Sequence, residues 1–191
     1  MILKKSGLPL RVTKPDGSPH YTVPFIQDSS NGVVVSDSLR IAKYLDTTFP
    51  DTSQVAPADT GSQFLTSQEI MMRLYPMYPL ARPSIHKSHS EAGKAVQERM
   101  YGLVMELQPE EKVALLEKGK QGFMEVIDRA KGDVYLTGEH PVFIDFVLAA
   151  GGLIYRATFG IDSAEWKEVA SWKDGRWQRV VENMERYIQV A

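Results

Sequence analysis

Residues 143–155 (FIDFVLAAGGLIY) are apolar on nearly every side of a helix, with Asp145 the one charge entering the run. A helix of that kind needs cover all round. It falls short of the roughly 20 residues that span a bilayer, so the cover must be protein. The flanking sequence supplies it. Val96, Met100, Leu103, Val104 and Leu107 fall at i, i+4, i+7, i+8 and i+11, one amphipathic face. Trp177, Val180, Val181, Met184, Tyr187 and Ile188 mark a last amphipathic helix. Residues 63–75 form a further candidate, after which Pro76, Pro79 and Pro83 break or kink the chain. Residues 113–118 and 122–130 read as shorter or continuous helices. The span 62–191 is therefore expected to be an all-α domain.

The first fifty residues follow other rules. Gly7, Pro9, Pro15, Gly17 and Pro19 exclude a long regular element at the start. Residues 21–27 are rich in β-formers, Ser29 to Gly32 are turn residues, and 33–35 are apolar. That pattern predicts a β-hairpin, with Pro24 confining its strand to pairing on one side. Ser36 is expected to open a helix, with Asp37 and Ser38 in its first turn and Leu39, Ala42 and Leu45 as its stripe. Residues 51–61 (DTSQVAPADTG) read as a linker. The expected order is domain 1–50, linker 51–61 and helical domain 62–191.

The formal charge of -2 argues against nucleic acid and anionic membranes, which need a basic face. With no cysteine, the chain has neither disulfides nor thiolate chemistry of its own. His86 and His89 lie three apart, but four histidines without nearby carboxylates at ligand spacing predict no metal site. The start, MILKKSGLPL, is no secretory signal, which leaves a cytoplasmic protein as the expectation.

Three features, taken in order, resemble the glutathione transferase family. They are Val23-Pro24 before a hairpin, VVVSDSLRIAKYLD at 33–46, and GEHPVFIDFVLAAGGLIY at 138–155. The wording KPDGSPHYTVP further resembles a fungal class related to bacterial β-etherases. The resemblance implies a thioredoxin-like N-terminal domain before the helical bundle, glutathione as cosubstrate, and usually a homodimer. It also implies a cis Val23-Pro24 bond.

Site residues follow from that resemblance. Ser38 and the helix N-terminus suit the γ-glutamyl carboxylate of glutathione, and Asp37 its ammonium group. Read without the resemblance, Ser36, Asp37 and Ser38 simply cap a helix. The extended backbone at Val23 and Pro24 is expected to pair with the cysteinyl part. The resemblance offers His20 for the glycyl carboxylate, against a plain turn histidine as the alternative. Tyr75, Met77 and Tyr78, with Met71 and Met72 nearby, are expected to line an apolar substrate pocket, against ordinary core packing as the alternative. Asp145 is expected to cap its helix. The family usually has Ser or Thr three positions earlier, where this chain has Val142.

One family feature has no counterpart. The thiol-activating Tyr, Ser or Cys sits just after the first strand of a β-α-β unit of roughly 30 residues or more. Only 23 residues precede Pro24, and they carry three prolines and two glycines. The thioredoxin-like domain is expected to be incomplete, truncated ahead of Met1, with no residue at the catalytic position. Two functions remain open: glutathione conjugation to, or ether cleavage in, small hydrophobic electrophiles; or an inactive ligand-binding or interaction module, or truncated product.

Overall fold

The computed structural model describes residue 17 and residues 23–52, 55–56 and 66–187. The chain divides into two compact units, Met1–Asp59 and Thr60–Ala191.

In the first unit, β1 (Phe25–Gln27) pairs antiparallel with β2 (Val34–Ser36), Phe25 opposite Ser36 and Gln27 opposite Val34. Val23 and Pro24 lie outside β1, and a polar turn organises the hairpin. The Asp28 carboxylate accepts from the Ser30 amide (2.8 Å), the Ser30 hydroxyl (2.6 Å) and the Asn31 amide nitrogen (3.1 Å). The Tyr44 hydroxyl also donates to it at 2.5 Å. Gly32 closes the turn at φ 75°, a conformation glycine adopts without strain. Helix α1 (Ser38–Thr48) follows. Ser36 therefore does not open the helix as expected. It ends β2, and Asp37 is the cap. Residues 55 and 56 are tied back to α1, their amides donating to Asp46 at 3.1 and 2.6 Å.

The second unit is helical. A reciprocal cap starts α2 (Ser67–Leu74). Glu69 accepts from the Thr66 amide at 2.7 Å, and the Glu69 amide donates to the Thr66 hydroxyl at 3.2 Å. Pro76 lies in a 3-10 turn, Tyr75–Met77, that leads into α3 (Tyr78–Ser88). Pro79 fits the first turn, where no amide is needed. Pro83 sits inside α3 without ending it, because the lost bond would have reached only back to that first turn.

Helix α4 (Glu91–Tyr101) stops at Gly102, φ 79°. The amphipathic face expected through Leu107 is thus cut short. Val96, Met100 and Leu103 are exposed rather than buried. Residues 113–118 and 122–130 belong to one helix, α5 (Pro109–Ile127), which ends before Ala130. Helices α6 (Phe143–Phe159) and α7 (Ala164–Met184) complete the unit. α7 is broken at Trp172–Gly175, where Lys173, Asp174 and Gly175 all have positive φ. Lys173 holds the break to Asp128 at 2.8 Å.

Trp177 sits at the centre of the core. Its ring stacks on Phe123 at 4.6 Å and meets Tyr155 edge-on at 6.0 Å, and its N–H donates to the Leu148 carbonyl at 3.2 Å. Gly152 lets α6 approach this closely, since a Cβ there would lie 2.6 Å from the indole nitrogen. The fully buried Asp145 ties the loop before α6 to the helix. It accepts from the Leu136 amide (2.6 Å) and the Val142 amide (2.9 Å). The hydroxyl missing at Val142 is made up by its backbone, whose carbonyl accepts the Asp145 amide at 2.9 Å. No helix among the described residues is long and apolar enough to cross a membrane.

Candidate functional site

In the first unit the hairpin register brings the proposed glutathione residues together. Phe25 pairs with Ser36, so Pro24 and Asp37 are the residues that flank the last pair of the ladder. Val23-Pro24 is a cis peptide bond. Asp37 has φ 79°, an uncommon conformation for a non-glycine residue. It spends one carboxylate oxygen on the Arg40 amide at 3.2 Å, and its carbonyl accepts from Ile41 at 2.9 Å. Both lie on the helical side. The backbone N–H groups of Ser38 and Leu39, the Ser38 hydroxyl and the second Asp37 oxygen have no partner among the described residues. Two amides at a helix N-terminus, a hydroxyl and a carboxylate oxygen thus converge on one exposed corner. This set can take a carboxylate and an ammonium on adjacent atoms. His20 lies outside the described residues.

The second unit holds a separate cavity of about 640 Å³ between α3, α4 and α5. Tyr75 and Tyr78 line it with stacked rings 5.4 Å apart, and Tyr101 meets Tyr78 edge-on at 5.9 Å. Burial, then the neighbouring Tyr101 hydroxyl, pushes the Tyr78 phenol above its ordinary value, so it stays a neutral O–H group at physiological pH. Met77 is not a lining residue. It is fully buried in the core against Gly119, where a Cβ would overlap its sulfur. The 3-10 turn rotates Met77 inward while presenting its neighbours Tyr75 and Tyr78 outward. Met71 and Met72 are exposed and line no wall of the cavity.

Sequence reasoning missed part of this wall. Met100 was read as core, and Tyr101, Leu115, Arg82 and Lys118 were not singled out; all five line the cavity. The signal available was Gly102, a helix stop that leaves the end of α4 open.

Among the described residues no cluster of His, Asp or Glu is arranged to hold a metal ion. His86 pairs with Glu98 at 3.0 Å, and His89 is bonded to the Ile85 carbonyl at 2.6 Å.

Residues 64–187 match the family model for the glutathione S-transferase C-terminal domain, and residues 8–53 that for its N-terminal domain. No curated protein matches the chain. Among solved structures, it is similar to the glutathione S-transferase CsGST63524 of Ceriporiopsis subvermispora in complex with glutathione. The TM-score is 0.85 at 26% identity, over 100% of this chain and 80% of that one. Glutathione transferase GSTFuA3 from Phanerochaete chrysosporium gives 0.85 at 28% identity over the same shares. CsGST83044 of C. subvermispora, also in complex with glutathione, gives 0.81 at 25%, over 97% of this chain and 80% of that one. With a family model spanning most of its length, and a hairpin and helical bundle in the matching order, the chain belongs to the glutathione S-transferase family.

Proposed function

We propose that this chain binds glutathione at the N-terminus of α1 and uses it on small hydrophobic electrophiles, by conjugation or by ether cleavage. The observation that carries the reading is the free corner at Asp37 and Ser38 beside Val23-Pro24. The γ-glutamyl carboxylate takes the Ser38 and Leu39 amides and the Ser38 hydroxyl. The ammonium takes the second Asp37 oxygen, and the cysteinyl backbone pairs with Val23. Two of the similar fungal proteins were crystallised with glutathione, which favours the same ligand here. The cavity bounded by Tyr75 and Tyr78 takes the apolar ligand. A cytoplasmic homodimer with a detoxifying role is the setting this reading assigns.

Calorimetry of the 191-residue chain with glutathione tests it. Millimolar or tighter binding is expected. Ser38→Ala should weaken it about tenfold, the worth of one hydrogen bond to a charged group. A folded chain that binds no glutathione overturns the reading.

A second reading is a non-catalytic binding module. It is favoured by Tyr44, whose hydroxyl is committed to Asp28 and also accepts from Asn31 at 3.0 Å, leaving it unavailable to a thiol. Glutathione binding without turnover of model electrophiles would select it.

A further inference from the structure

The turn between β1 and β2 carries Asn31-Gly32, the one Asn-Gly pair in the chain. We infer that this pair is a deamidation site gated by the hairpin. The closed turn keeps Asn31 an amide. Each opening exposes it to conversion into a carboxylate, and that carboxylate then hinders reclosure.

The chemistry needs only water. The Gly32 amide nitrogen attacks the carbonyl carbon of the Asn31 side chain. A new C–N bond closes a cyclic imide, the bond to the side-chain nitrogen breaks, and ammonia leaves with the proton from Gly32. Water then opens the imide at either carbonyl, giving an aspartyl residue linked through its main-chain or its side-chain carbonyl. Glycine leaves the attacking nitrogen unhindered, and a Cβ at Gly32 would have nothing within 4 Å. Both residues are exposed, so water reaches the imide.

In the closed turn each reacting group is occupied. The Gly32 amide donates to the Asp28 carbonyl at 2.8 Å. Asn31 Oδ1 accepts from the Val33 amide at 2.9 Å, and Nδ2 donates to Asp28 Oδ2 at 3.1 Å and to the Tyr44 hydroxyl at 3.0 Å. Attack needs the nitrogen released and the side chain turned, so these bonds must open together. The rate then follows the fraction of time the hairpin is open. That fraction is appreciable, because two strands of three residues make a marginal ladder. After conversion an oxygen stands where Nδ2 stood, beside Asp28 Oδ2. Two donated bonds are lost and a like charge is gained. One of those bonds reached Tyr44 on α1, so the change also loosens the hairpin from that helix. The second asparagine, Asn183, precedes Met184 within α7 and serves as an internal reference.

The test is peptide mapping by mass spectrometry of the full chain held at mildly alkaline pH, native and unfolded in urea. Amide-to-acid conversion is expected at Asn31 and not at Asn183. The native rate should be at least about tenfold below the rate in urea, as a turn closed by several hydrogen bonds requires. Tyr44→Phe removes one acceptor of Nδ2 and should raise the native rate about fivefold, the weight of one hydrogen bond in an opening equilibrium. Asn31→Asp reproduces the main-chain-linked product. In that variant, amide hydrogen exchange at Gly32 and Val33 should quicken several-fold. Equal rates in the native and unfolded chains, or a native rate that Tyr44→Phe leaves unchanged, overturn the gate. A native chain that never converts at Asn31, while the unfolded chain converts fully, overturns the site. Unchanged exchange in Asn31→Asp overturns the hindered reclosure.

Discussion

The two units are held together by different forces. In the helical unit, 21 of the described residues form one buried cluster around Trp177. Among the described residues of the N-terminal unit, Ala42 is the one hydrophobic side chain buried to that degree. Its hairpin is instead fixed by the Asp28 network and by register. A two-stranded hairpin is marginal by itself, so polar contacts to α1 carry much of its order. The difference has a functional side. The corner that presents Ser38 and Asp37 depends on hydrogen-bonded turns, and the cavity of the helical unit depends on packing. The first should respond to pH and ligand, the second to volume.

The largest test of that contrast is Trp177→Ala. The side chain is fully buried, stacked on Phe123 and bonded to Leu148. Its loss is expected to cost about 4 kcal/mol, the range for aromatic-to-alanine changes in cores. Urea unfolding followed by far-ultraviolet circular dichroism measures it. A cost under about 1 kcal/mol would mean the bundle is not organised by this packing.

Asp145 comes next. Asp145→Ala leaves the buried amide of Leu136 and the half-buried amide of Val142 without acceptors, at about 3 kcal/mol in the same assay. Asp145→Asn keeps one acceptor and should cost less. Burial pushes the Asp145 carboxyl above its ordinary value, against the lowering effect of the two amides. The folded state therefore holds the proton more tightly than the unfolded one. Asp145's contribution is largest below its ordinary value and declines as pH rises through the raised one. Asp145→Asn is expected to remove that decline, seen as a flatter stability curve on the alkaline side of the carboxylate range.

Sequence and structure agree where periodicity or turn chemistry acts alone. Trp177, Val180, Val181 and Met184 are buried on α7 as their spacing requires, whereas the run 143–155 is covered along one face of α6 only, with Ile144, Leu148, Ala149 and Tyr155 buried and Ile154 exposed. Tyr187, the next position in that stripe, is exposed, and Ile188 lies outside the described residues. The face from Val96 to Leu107 misled because periodicity ignores a single glycine. Gly102 at φ 79° ends α4 and leaves Leu103, Val104 and Leu107 outside it, while Val96 and Met100 are exposed on the helix itself. Met77 misled for a related reason. Apolar residues next to prolines suggest a wall, but a 3-10 turn of three residues decides which of them faces inward. At the N-terminal corner, Asp37 and Ser38 were legible as a helix start. The register that sets Phe25 opposite Ser36, the residue before Asp37, was not, because no local pattern carries it. The break at Trp172–Gly175 left little trace beyond Asp174-Gly175, since Lys173 and Asp174 rarely adopt positive φ.

The smallest effect probes the polar half of the contrast directly. The Ser30 hydroxyl first, then the Tyr44 hydroxyl and the Ser30 amide, hold the Asp28 carboxyl at about 2, below its ordinary 3.8. A depressed carboxyl contributes stability above its unfolded value and loses it as pH falls through the folded one. The hairpin should therefore loosen between about pH 4 and about pH 2. Tyr44→Phe removes the second of the causes and nothing from the strand register. The Asp28 midpoint, followed by carboxyl chemical shift, is expected to move up but to stay below 3.8, because both Ser30 donors remain. Tyr44 lies on α1, the helix whose first turn presents Ser38, so the same variant links the turn to the ligand corner. A wild-type midpoint at 3.8 that Tyr44→Phe does not move would remove the polar network as the organiser of this unit. Strand register would then be the sole device setting Phe25 opposite Ser36.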